Sequence, residues 1–160
     1  MDKILTIKEA IRLTRKLKND GKTIVLAGGC FDILHIGHLE FLKKAKEKGN
    51  ILIVLLESDE NVKKLKGIKR PFHNQKDRAE ILSFISLIDY VVLLPYLKTN
   101  EYDDIVIRIK PDSIATTKGD KNRMHKERQA KKIQGVVYDV IPRIKNMSSD
   151  RKSTRLNSSH

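Results

Sequence analysis

Apolar positions along the chain alternate between helical spacing and short unbroken runs, and that alternation sets the expected order of elements. Thr6-Ile7-Lys8-Glu9 reads as a capping box, and Ile7, Ala10, Ile11, Thr14 and Leu17 recur at helical spacing. A helix is therefore predicted over 6–19, ended by Asp20-Gly21. Residues 23–27 form a β-branched apolar run suited to a buried parallel strand, broken by Gly28-Gly29. A second helix begins near Ile36, turns Leu39, Leu42 and Ala45 inward, and stops at Gly49 before the aliphatic strand Ile51–Leu56. The resulting strand-loop-helix-strand unit should cross over right-handed.

The alternation continues through the remaining sequence. Residues 67–73 read as a basic loop, Asn74 caps a helix through about Leu87, and 89–94 is a strand ended by Pro95. Asn100 is expected to cap a helix to Ile109, Pro111 precedes a strand over 113–116, a charged helix spans 121–134, and 136–141 is the last strand. About five strands between helices predict an α/β fold, a Rossmann-like doubly wound parallel sheet in a three-layer α/β/α arrangement. Ligands are expected beyond the carboxyl ends of its strands. No repeat or interdomain linker is visible.

Composition narrows the picture. At 160 residues, 39% hydrophobic and 33% charged, the chain fits one domain. Roughly 70% of the surface of the unfolded chain should be buried, enough for a core without disulfides or a structural metal. One cysteine excludes a disulfide framework and points to a reducing compartment. With no apolar stretch near the ~20 residues of a membrane span, the expectation is a soluble cytoplasmic protein with no membrane partner. The formal net charge of +13 suggests a polyanionic partner, while 5% aromatics and no Trp leave little for stacking single-stranded nucleic acid.

Residues 150–160 differ from the rest: polar, serine-rich and without apolar periodicity. Their sequence, Asp150-Arg151-Lys152-Ser153-Thr154-Arg155-Leu156-Asn157-Ser158-Ser159-His160, is the translation of a common short-read sequencing adapter. The expected organisation is a truncated domain over 1–149 followed by a non-native tail. That tail holds three basic residues and one acidic, so without it the charge falls by two, to +11.

The candidate chemistry lies between the first predicted strand and the following helix, at Gly28-Gly29-Cys30-Phe31-Asp32-Ile33-Leu34-His35-Ile36-Gly37-His38. Paired glycines let backbone approach a ligand, and a helix start offers amide donors at a positive dipole end. His35 and His38, three apart, fall on one side of the first turn and can converge on one anion.

This stretch resembles the His-x-Gly-His signature of the nucleotidylyltransferase superfamily, which includes glycerol-3-phosphate cytidylyltransferases, FAD synthetases and heptose 1-phosphate adenylyltransferases. Further blocks look most like the heptose-phosphate branch: Thr6-Ile7-Lys8-Glu9, Gly21 to Val25, Leu65-Lys66-Gly67 through Arg70-Pro71, Asp77 to Leu82, Asp89 to Leu93 and Lys110-Pro111-Asp112. The resemblance covers essentially residues 1 to 149. It implies transfer of a nucleoside monophosphate from a triphosphate to a phosphorylated small molecule, with pyrophosphate released. AMP is favoured. CTP with glycerol 3-phosphate is the alternative donor and acceptor, and a sugar 1-phosphate, glycerol phosphate or FMN would each suit a basic pocket.

Roles carry over where residues match. The resemblance implies catalytic positions at His35, His38, Lys43 and Lys46, and nucleotide contacts at Gly28, Gly29, Cys30, Phe31, Asp32, Gly37, Gly119, Asp120, Arg143, Ser148 and Ser149. It also implies substrate contacts at Lys66, Arg70 and Arg78, magnesium carried with the triphosphate near Asp32 but no dedicated metal ligands, and a possible homodimer. The family pattern should continue past Ser149 into another hydroxyl residue and a helix. The chain as written is therefore expected to turn over weakly.

Two other readings stay open. Cys30, Asp32, His35 and His38 could form a zinc site or a cysteine-histidine nucleophile pair, although the spacing lacks the usual two close couplets and leaves the glycines unexplained. Lys118, Lys121, Arg123, Lys126, Arg128, Lys131 and Lys132 could track a nucleic-acid backbone, but such a run is more often one solvated helix face. The basic stretch from Lys63 to Arg70 fits a phosphorylated small substrate at least as well.

Overall fold

The computed structural model describes residues 2–142. Six parallel strands form one sheet: β1 (Ile4–Leu5), β2 (Ile24–Gly29), β3 (Ile51–Leu56), β4 (Tyr90–Leu93), β5 (Ser113–Lys118) and β6 (Val136–Pro142), in the order β1-β4-β3-β2-β5-β6. The helices are α1 (Ile7–Asn19), α2 (Ile36–Lys46), α3 (Asp59–Lys66), α4 (Gln75–Ser83), α5 (Thr99–Ile109) and α6 (Arg123–Ile133).

Period-two alternation along buried strands sorts the core into two halves. Ile24 and Leu26 of β2 face Ala10 and Leu13 of α1, Ile105 and Ile109 of α5, and Ala130 and Ile133 of α6. Val25 and Ala27 face the other way, onto Leu42 and Ala45 of α2 and Ala79 and Leu82 of α4. The three layers follow from that division. Arg78 is fully buried beneath the second half, where its guanidinium donates to the carbonyls of His73 and Cys30 and to Asp59.

Strand order reverses at β2: the chain first builds outward through β3 and β4, then crosses back to place β5 on the other side. β2 pairs with β3 over all six of its residues but with β5 only at Val25–Ser113 and Leu26–Ile114. Beyond Leu26 the two strands part, leaving the crevice that a doubly wound sheet offers a ligand.

Several expected elements change in detail. β1 and α3 were not predicted: a two-residue strand carries no alternation to read, and α3 buries only Val62. Lys98, not Asn100, precedes α5, and the helix capped by Asn74 ends at Ser83 rather than near Leu87. Leu39, expected to face inward, is 39% exposed.

Candidate active site

The turn from β2 into α2 builds the site. Gly29 is required by packing, since a Cβ there would lie 2.9 Å from the Phe31 ring, and Phe31 itself holds a left-handed φ of 47°. At Gly28 a Cβ would meet only Leu55, at 3.7 Å or more. The protein's own packing does not demand a glycine there, and the space it leaves opens into the cavity.

Both histidines cap the start of α2, His35 as its N-cap and His38 from within the first turn. The His35 Nδ1 accepts from the Gly37 N–H at 3.1 Å, and the His38 Nδ1 accepts from the His35 N–H at 3.3 Å. Their rings stack with centroids 4.0 Å apart, and Phe31 tilts against His38 at 5.4 Å. A nitrogen that accepts cannot carry a proton, so each neutral ring holds its hydrogen on Nε2 as a donor. His38 lines the cavity directly, while His35 lies behind it in the stack.

That cavity, of about 860 Å³, sits at the carboxyl ends of β2, β3 and β5. Of the residues predicted to be functional, it brings together Gly28, Gly29, Cys30, Phe31, Asp32, His38, Lys66 and Asp120. Lys64, Lys98, Lys121 and Lys126 join Lys66 in its wall, giving it a strongly cationic lining. Asp120, following the positive-φ Gly119, accepts from the Thr116 hydroxyl at 2.6 Å, the Asn122 N–H at 2.9 Å and the Lys126 ammonium. Burial opposes ionisation of Asp120, but those donors together hold its carboxyl below the ordinary aspartate value.

Asp32 departs from its expected place beside magnesium. Its side chain is fully buried and accepts from Arg70 Nε at 2.7 Å, from the Phe72 N–H at 2.8 Å and from the His73 N–H at 3.1 Å. Both oxygens are committed to the 70–73 loop. Among the described residues no group of three His, Cys, Asp or Glu is placed to hold a metal ion. Burial also pushes the Cys30 thiol up, which keeps it protonated and unsuited to nucleophilic attack.

Arg70 and Arg78, expected at the substrate, instead tie loops together: Arg70 is buried against Asp32, and Arg78 is enclosed as described above. Lys43 is exposed on α2 and Lys46 lies at its far end, about 15 Å along the helix from Ile36. The Lys46 ammonium donates to Asp89 at 2.6 Å and to the Asn50 carbonyl, on the amino-end side of the sheet. Lys46→Met should accordingly leave turnover within about twofold of wild type and cost about 1 kcal/mol of stability or less, measured by initial rates and urea unfolding. A large rate loss would return Lys46 to the site. Gly37 is buried in α2, and Arg143, Ser148 and Ser149 lie outside the described residues.

The basic run of α6 is divided among different partners. Arg123 pairs with Glu127 and Asp139, Arg128 forks onto Asp103 at 2.9 Å, and Lys121 and Lys126 turn to the cavity. Lys98, missed in the sequence, reaches the cavity from a loop whose pattern does not announce it, whereas Lys64 falls in the basic Lys63 to Arg70 stretch already read as suited to a phosphorylated substrate.

The strand order and the cleft at its point of reversal define a doubly wound α/β domain that takes its ligand at the carboxyl ends of the strands. The chain belongs to the cytidylyltransferase-like family, whose model matches residues 26–156. It is 51% identical over 90 residues to the bifunctional protein HldE of Aliarcobacter butzleri (strain RM4018), covering 56% of this chain and 19% of that protein. With the bifunctional protein HldE of a Nitratiruptor species the identity is 45% over 109 residues, covering 68% and 23%. The chain thus spans about a fifth of the length of these relatives. The crystal structure of a lipopolysaccharide core biosynthesis protein from Thermoplasma volcanium GSS1 superposes with a TM-score of 0.62 at 29% identity, over 78% of this chain and 97% of that one. Among the described residues, no helix is long and apolar enough to cross a membrane.

Proposed function

We propose that this chain transfers AMP from ATP to the phosphate of a phosphorylated sugar. A phosphate oxygen of the acceptor bonds to the α-phosphorus, the bond from that phosphorus to the bridging oxygen breaks, and pyrophosphate leaves with the electron pair. The observation that carries the reading is the pair of capping histidines, with His38 at the glycine floor of a cavity walled by lysines. Positioning and charge stabilisation supply most of the catalysis in such a transfer, and no covalent enzyme intermediate is needed.

In this reading His38 donates from Nε2 to the reacting phosphates, and His35 holds its ring by the stack and the shared cap. Lys64, Lys66, Lys98, Lys121 and Lys126 line the cavity and supply its positive charge toward the triphosphate and the acceptor phosphate. Magnesium carried with the triphosphate would neutralise charge on its oxygens, and no residue of this chain is assigned to hold it. The likeness to HldE proteins and to a protein of lipopolysaccharide core biosynthesis supports a sugar phosphate acceptor. The lone cysteine supports a cytoplasmic setting.

The donor is tested by calorimetric titration of the whole chain with ATP and, separately, CTP, in magnesium. ATP should bind more tightly by about tenfold or more, 1.4 kcal/mol. Preference for CTP would move the reading to a cytidylyltransferase acting on glycerol 3-phosphate or another polyol phosphate. Binding of neither would overturn it.

A further inference from the structure

Beside Asp32, paired with Arg70, and Asp120, paired with Lys126, a third carboxylate in the cavity wall is the wrong charge for phosphate. Glu57 follows the last residue of β3, and its N–H donates to the Gly29 carbonyl at 3.1 Å, which sets the side chain beside the glycine floor. Its Oε2 accepts from the Tyr102 hydroxyl of α5 at 2.5 Å and from Asn61 Nδ2 of α3 at 2.6 Å. Asn61 Nδ2 also lies 3.1 Å from the Tyr102 oxygen, so the three side chains brace one another. All three line the cavity, and Glu57 Oε1 takes no hydrogen bond from a described residue. Burial and then the neighbouring Glu57 push the Tyr102 phenol far up, so it stays a protonated donor.

A carboxylate repels phosphate oxygens and accepts hydroxyl protons, and two donors here fix its orientation in a half-buried wall. Its neighbours place it within reach of a phosphate held elsewhere. Lys64 follows Asn61 by three positions on α3, so the two share a face with Cβ atoms about 5–6 Å apart. Lys64 donates to the Tyr96 hydroxyl at 2.9 Å, also in the cavity wall. One face of α3 thus offers a cation for a phosphate and, one turn back, an amide that holds the Glu57 carboxylate, an acceptor for hydroxyls.

We propose that Glu57, braced by Asn61 and Tyr102, is the hydroxyl-reading subsite for the acceptor, accepting hydrogen bonds at Oε1 from a polyhydroxylated phosphate and favouring it over a bare alkyl phosphate. The inference rests on the transferase reading above and narrows its acceptor. A group left without hydroxyls would bury the carboxylate against carbon or leave it unpaired, and that mismatch is the source of the discrimination.

The test compares the full chain with Glu57→Gln and Tyr102→Phe, reading pyrophosphate release with ATP and either a heptose 1-phosphate or methyl phosphate, alongside ATP affinity by calorimetry and a thermal melt. Glu57→Gln should raise the KM for heptose 1-phosphate by about 10- to 100-fold, leave ATP affinity unchanged, and shrink the preference over methyl phosphate by the same factor. Tyr102→Phe, which keeps the carboxylate and removes one brace, should raise that KM by a smaller factor. An unchanged KM in Glu57→Gln with ATP binding intact would overturn the subsite and leave the transferase reading standing. Loss of ATP affinity in step with the acceptor would also overturn it, assigning Glu57 to the nucleotide or to folding. No release from the wild-type chain with either acceptor would overturn both.

Discussion

His38→Ala should lower kcat by about 10²–10³-fold, and kcat/KM for ATP by the same factor. Negative charge on the phosphates shifts toward the leaving pyrophosphate in the transition state, and a donor already aimed at it contributes most where water is excluded. His38 fits that role because its Nδ1 accepts from the His35 N–H and its ring is held between His35 and Phe31 in the cavity wall. Ala also removes a cap on the first turn of α2, at a cost of about 1 kcal/mol. Steady-state pyrophosphate release and a thermal melt separate the two effects: turnover should collapse while the melt moves by only a few degrees. Turnover within about threefold of wild type would remove His38 from the chemistry.

The parts of this molecule legible in the sequence are those that local patterning specifies. The Thr6–Glu9 capping box is present as read, with Thr6 accepting from the Glu9 N–H, and Ile51–Leu56 is a strand from end to end. Both depend on neighbours in sequence: a side chain reaching three residues back, or an aliphatic run too short for a helix and too apolar for a loop. The glycine-histidine turn was legible for the same reason, since its residues act on their own backbone. What could not be read were the roles of isolated charges, which depend on distant partners. Arg70 and Arg78 look like any basic residue in a loop or helix, yet their partners, Asp32 and the Cys30 carbonyl, lie 38 and 48 residues away. Lys46 was read as catalytic and Lys66 as a substrate contact. Lys46 follows α2 to the amino-end side of the sheet, while Lys66 ends α3 at the carboxyl-end crevice.

The committed state of Asp32 turns that misreading into a stability effect. Asp32→Ala should lower the unfolding free energy by about 3–5 kcal/mol at pH 7, because it removes the one carboxylate on which the buried Arg70 Nε and the Phe72 and His73 N–H groups converge. The pair belongs to the folded frame of the site: Asp32 stands one residue after the strained Phe31, and its bonds are what hold the 70–73 loop against the turn into α2. Burial works against its ionisation, but the Phe72 N–H, Arg70 and the His73 N–H outweigh it and hold the carboxyl below the ordinary value of 3.8. A depressed folded value means the contribution is fully present above 3.8 and is lost as pH falls below it toward the folded value. Urea unfolding of wild type and Asp32→Ala at pH 7 and at successively lower pH should therefore show a large gap that narrows only in acid below the ordinary aspartate range. Turnover should fall with stability, since the loosened turn carries the Phe31 ring that His38 leans on. A gap under about 1 kcal/mol at neutral pH would show that water replaces Asp32 at little cost, and that the 70–73 loop is held by its remaining contacts alone.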